Sequence, residues 1–185
     1  MKKTLFVAAA LLASTLATAQ TKSPVSDALR NILTGRQKNI VAAVEAMPAD
    51  KFSYKPTADQ MTFGHLVTHI VEANNLLCNK ATGAAAPKAE EVKDTDAKEK
   101  LVAALKASFD YCSDVVGKMD DSKLGEMTEG FEKGKEVSRA WASLVLSSSW
   151  GDHYAAVAQD LRLNGLTPPT AQKKEPEKKD AGKKD

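Results

Sequence analysis

The chain has only three histidines among its 185 residues, and their positions are chemically suggestive. His65 and His69 stand four apart in TFGHLVTHIVEANNLL, and His153 lies far downstream in SSSWGDHYAAVAQDLRLNG. Both stretches carry helical periodicity. Two helices facing each other can bring imidazoles together, which is how a bundle builds a metal site. A four-residue step places His65 and His69 on one helix face at an offset of about 40°. Glu72 follows three residues later on a neighbouring part of that face. A set of His65, His69 and His153 would offer three nitrogens to a divalent ion such as Zn, Ni or Mn. It would leave a position open for water or a small molecule, whose reactive group the ion would polarise. A plainer reading stands beside this one. Histidine pairs at this spacing are common on helix surfaces, and His153 can be satisfied by Ser149, one turn back.

The elements that would position these side chains are helical throughout. No stretch alternates with period two over strand length. The first helix is expected to start at Ser23-Pro24, with serine as N-cap and proline at the first helical position. Its apolar stripe is Val25, Leu29, Ile32, Leu33, Ile40, Val41 and Val44, and Met47-Pro48 ends it. Phe52 and Tyr54, in the connector that follows, are expected to tuck against the bundle edge. Thr62 caps the second helix, whose stripe is Phe63, Leu66, Val67, Ile70, Leu76 and Leu77, and Gly83 terminates it. A third helix is expected over 95–118, with Leu101, Leu105, Phe109, Tyr111, Val115 and Val116 facing inward. The glycine-rich linker DDSKLGEMTEGFEKGKEV is read as lacking a stable helix. The fourth helix spans about 138–164, closed by Gly165 and Pro168-Pro169. Four such helices make an all-α four-helix bundle.

The ends of the chain bound its setting. Lys2-Lys3, the apolar run LFVAAALLA and Ala17-Thr18-Ala19 form a signal-peptide pattern over 1–19, with cleavage expected after Ala19. No later stretch is apolar enough to span a membrane. The bundle is assigned to 20–170, and the charged, apolar-poor tail 171–185 is read as disordered. The expected setting is therefore periplasmic or secreted. Without signal and tail the net charge is close to zero and no basic stripe is present, which excludes a nucleic-acid partner.

Cys78 and Cys112 are the only two cysteines. In an oxidising compartment they are expected to pair, the alternative being two buried thiols. Were the second and third helices antiparallel neighbours, the two would lie about 24 Å apart, far beyond the roughly 7 Å that a disulfide allows. Parallel helices let them meet, so a disulfide implies up-down-down-up order. Neither cysteine sits at a helix N-terminus, where a catalytic thiolate would be favoured. Trp141, Trp150 and Tyr154 read as core and rim, and Arg162 as a solvated or ion-paired residue. Ser147, Ser148 and Ser149 lack the strand-to-helix turn of a hydrolase nucleophile.

MPADKFSYKPTADQMTFGHLVTHIVEAN, together with DHYAAVAQDLRLNGLTPP, resembles the DinB-like four-helix bundles, over nearly all of residues 24–170. The resemblance implies up-down-down-up topology and frequent homodimers. It also brings relatives that include thiol-dependent transferases and isomerases. Low-molecular-weight thiols are mainly cytosolic, which weighs against that chemistry in an exported chain. The family's metal triad takes one histidine from the second helix and two, spaced four apart, from the fourth. His69 and His153 match its first and last positions, Ser149 occupies the middle one, and His65 is the candidate substitute. The resulting expectation is an exported, metal-binding bundle acting on or binding a small molecule. The alternative is a non-enzymatic binding or stress-related scaffold with a degenerate site.

Overall fold

The computed structural model describes residues 23–88 and 91–172. The signal peptide expected over 1–19 lies outside the described residues, as does the expected tail beyond Gln172. Four helices carry the fold: α1 (Pro24–Ala46), α2 (Phe63–Thr82), α3 (Lys98–Gly117) and α4 (Arg139–Leu163). None of the described helices is long and apolar enough to cross a membrane.

Side-chain pairings fix the helix directions. Asn74 Nδ2 donates to Ser108 Oγ at 3.0 Å. Four residues further along both helices, Cys78 and Cys112 form a disulfide with Cα atoms 5.5 Å apart. Equal steps in the same direction mean that α2 and α3 run parallel. Arg30 reaches the carbonyls of Val116 and Met119, whereas Lys106 pairs with Glu45, so α1 and α3 are antiparallel. Trp150 meets Asn74 and His153 meets His69, so α2 and α4 are antiparallel as well. The order is up-down-down-up, as the cysteine argument requires. Each of α1 and α2 packs against both α3 and α4. Ile40, Val44, Val67, Ile70, Leu101, Leu105, Phe109, Leu146 and Leu161 fill the fully buried centre.

Most helix ends follow their sequence signals. Thr62 accepts the His65 N–H at 3.0 Å and Ser138 accepts that of Trp141 at 3.2 Å. Gly83 closes α2 in the left-handed region at φ 71°. Gly165 does the same for α4, and the Leu166 N–H returns to the Leu161 carbonyl at 2.8 Å, so Leu166 folds onto the core. The connector is tied in by Phe52, buried and edge-on to Phe63 with centroids 5.2 Å apart.

The start of α1 differs from the sequence expectation. Ser23 makes no side-chain cap; its Oγ instead accepts the Asp121 N–H at 3.3 Å. Capping falls to the Asp121 carboxylate, 96 residues from Val25, which accepts from the backbone N–H groups of Val25 (3.0 Å) and Ser26 (2.9 Å). A carboxylate at a helix N-terminus satisfies orphan donors and meets the positive end of the dipole, so a distant turn does the work of a local serine. α3 starts at Lys98 rather than near 95, because Asp96 turns back to accept the Lys93 N–H at 2.9 Å. Val25, Ile32 and Leu76 are exposed, and Tyr111 is only half-buried. Leu76 sits about 100° around the helix from Leu77, outside the narrow stripe that α2 buries.

The glycine-rich linker has no helix longer than a single 3-10 turn, but it does contain a short hairpin. β1 (Met127–Glu129) pairs antiparallel with β2 (Glu136–Ser138), Thr128 opposite Val137. The buried Lys80 ammonium anchors it by donating to the Glu129 carbonyl at 2.7 Å.

Candidate functional site

α2 and α4 cross with His69 against His153. Their ring centroids are 5.1 Å apart and the planes stand 85° to one another. His69 is exposed, whereas His153 is 8% exposed. The pair thus sits at the boundary between core and solvent, reachable from one side. The floor beneath it is a buried polar network. Trp150 Nε1 donates to Asn74 Oδ1 at 2.9 Å, Asn74 Nδ2 donates to Ser108 Oγ, and the Ser108 hydroxyl donates to the Leu105 carbonyl at 2.8 Å. Trp150 lies one turn before His153, so this network fixes the height at which α4 meets α2. It joins three helices through Asn74, a residue that periodicity alone marks only as polar.

Ser149 lies on the same face of α4, with its Oγ 3.4 Å from His153 Nδ1. Glu72 is exposed, and among the described residues nothing pairs with its side chain. His65 goes elsewhere. Gly64 lacks a Cβ, and the Asp94 backbone presses into the space that one would fill. That approach brings Asp94 alongside His65, with Nδ1 and Oδ2 3.9 Å apart on two half-exposed side chains. The structure therefore gathers His69 and His153 and leaves His65 with Asp94. Among the described residues, no three His, Cys, Asp or Glu side chains converge closely enough to hold a metal ion. Arg162 is exposed and bonds the Ala158 carbonyl, Trp150 is core and Trp141 is rim.

Burial, reinforced by the neighbouring His69 and opposed by Asp152, lowers the His153 pKa from 6.5 to about 4. The imidazole is neutral at neutral pH, leaving one nitrogen with a free lone pair. A depressed histidine pKa favours the folded state fully above the unfolded value. That contribution is lost as pH falls from about 6.5 towards 4. In chelator-treated protein, urea titrations at pH 7.5 and pH 4.5 should show a stability loss that His153→Gln lacks. The expected difference is about 2 kcal/mol, allowing for solvent screening; equal losses in both proteins would contradict it.

One residue of this region escaped the sequence reading. Asp160 lies seven residues after His153, two turns along the same face, and is 6% exposed. The i, i+7 spacing was the available signal.

Comparison with known proteins agrees with this architecture. A crystal structure of a DinB-like protein from Bacillus subtilis superposes with a TM-score of 0.64 at 19% identity, covering 80% of this chain and 99% of that one. A DinB-like protein from Bacillus cereus gives 0.63 at 17% identity, covering 77% and 95%. No curated protein matches the sequence. The sequence profile of the DinB superfamily matches residues 32–157, which reach into all four helices and include both facing histidines, and the chain belongs to that superfamily.

Proposed function

We propose that the protein is an exported bundle in which His69 and His153 bind a divalent metal ion, and that the ion receives a small molecule. The observation carrying this reading is the spacing of the two rings. A metal–nitrogen bond of about 2.1 Å plus roughly 1.1 Å from nitrogen to ring centre puts two imidazoles on one tetrahedral ion about 5 Å apart, centre to centre. The observed separation is 5.1 Å. The neutral state of His153 removes the proton that would compete for its lone pair. Ser149 then acts as an orienting partner: accepting from Nδ1–H, it leaves Nε2 free as the ligand atom. A bound ion would supply Lewis acidity towards a substrate oxygen or lower the pKa of a water molecule. The disulfide supports export, as does the signal-peptide pattern of the first nineteen residues.

The test is elemental analysis of the protein after equilibration with micromolar zinc, nickel or manganese. His69→Ala and His153→Ala should each lose a stoichiometric ion that His65→Ala retains. Wild-type protein free of metal would overturn the reading. That result would favour a non-enzymatic binding scaffold, for which Ser149 in the middle ligand position of the family's triad is the specific sign.

A further inference from the structure

A cavity lies on the α2 N-terminal side of the two histidines. Leu66 lies one turn before His69 on α2, and Ala156 lies one turn after His153 on α4. Because the helices are antiparallel, the two residues stand on the same side of the pair, where both line a cavity of about 340 Å³. Pro56 and Met61 from the connector close its wall. Asp160 lines it too. Asp160 is 6% exposed as a residue, its carboxylate oxygens keep some contact with solvent, and no hydrogen bond or ion pair reaches them from the described residues. Burial raises its pKa above the usual carboxylate value. Among the described residues no lysine or arginine lines the cavity, and the second acid there, Asp59, is exposed.

A partly desolvated carboxylate without a protein partner is costly, and a cation entering beside it offsets that cost. A hard metal ion is a poor candidate, because it needs several oxygen ligands and, among the described residues, no three His, Cys, Asp or Glu side chains converge to hold one. An ammonium group needs only acceptors, and an apolar body attached to it would cover Leu66, Met61, Pro56 and Ala156. We propose that this cavity binds a small organic cation, a primary amine on a compact apolar body, with its ammonium on Asp160 and its other end towards His69 and His153. As the class of small molecule for the metal site, this inference rests on the function proposed above. As a binding site, it stands on the cavity and Asp160 alone.

The experiment is run without metal, on chelator-treated full-length protein at pH 7.5, by titration followed by amide NMR shifts. Three probes share one shape: phenethylamine is cationic, 2-phenylethanol neutral and phenylacetate anionic. A charge-assisted hydrogen bond makes the amine bind at least about tenfold more tightly than the alcohol, with shifts centred on Met61, Leu66 and Ala156. Asp160→Asn, which keeps the side-chain shape, should erase that preference. Gln159→Arg, a change at an exposed lining position, should weaken the amine by placing a like charge beside it. Equal binding of amine and alcohol, an undiminished preference in Asp160→Asn, shifts elsewhere, or no binding at all would each overturn the inference. Amine binding without metal uptake would remove only the metal reading; metal uptake without amine binding would remove only this one.

Discussion

Replacing Cys78 and Cys112 together by alanine lowers the unfolding free energy by about 3–4 kcal/mol. The bond closes a loop of sequence separation 34, and the entropy that it withholds from the denatured chain sets this magnitude. The position of the loop gives the effect a structural meaning. It spans the crossover between the two parallel helices, where residues 83–97 must return along the length of the bundle. Parallel neighbours lack the short connection that tethers an antiparallel pair, so the covalent link substitutes for it. Both half-cystines are fully buried, and alanine leaves a small cavity that adds to the loss. Urea unfolding monitored by circular dichroism should show a lower midpoint. The slope against denaturant should also be steeper, because the uncrosslinked chain exposes more surface when unfolded. A loss below about 1 kcal/mol would mean that packing and the Asn74–Ser108 bond already hold the two helices without help.

What could be read from the sequence was local or covalent. Pro24, Thr62, Gly83, Ser138 and Gly165 announce helix ends because each satisfies, or sterically forbids, something within one turn of itself. The cysteines announced topology because a bond of fixed reach excludes one of the two helix directions. His69 and His153 could be paired because the family's triad places them on the second and fourth helices. Features decided by distant contacts stayed hidden. Asp121 caps a helix that starts almost a hundred residues earlier, and no local pattern marks it. The hairpin of β1 and β2 is three residues per strand, too short for alternation to show, and it depends on a buried lysine from α2. His65 had the right spacing for the site. Its fate was decided by Gly64, whose missing side chain lets the Asp94 segment approach. Asp160 shares a face with His153, but a helix alone does not reveal which of its exposed-looking acids a neighbouring connector will cover.

If His69 and His153 hold zinc as proposed, Ser149→His raises that affinity by on the order of 100-fold, since a direct ligand should match or exceed the 10–100-fold that an outer-sphere partner contributes. The geometry favours the change. Positions 149 and 153 are one turn apart on α4, and the short serine side chain already approaches His153 Nδ1 at 3.4 Å. An imidazole there projects over the same spot as the pair. It would supply a second α4 histidine, adding a nitrogen to the His69–His153 pair of the proposed metal site. The substitution also removes the hydroxyl that orients His153, so the control is Ser149→Ala. That variant should lose about tenfold in affinity, because His153 keeps its lone pair but loses the partner that holds its ring and tautomer. Competition against a chromophoric chelator measures both variants on one scale. Opposite signs for the two establish position 149 as facing the metal site from just outside it. Equal losses in both would instead make the serine oxygen itself a ligand, and two unchanged affinities would place any bound zinc somewhere other than between His69 and His153.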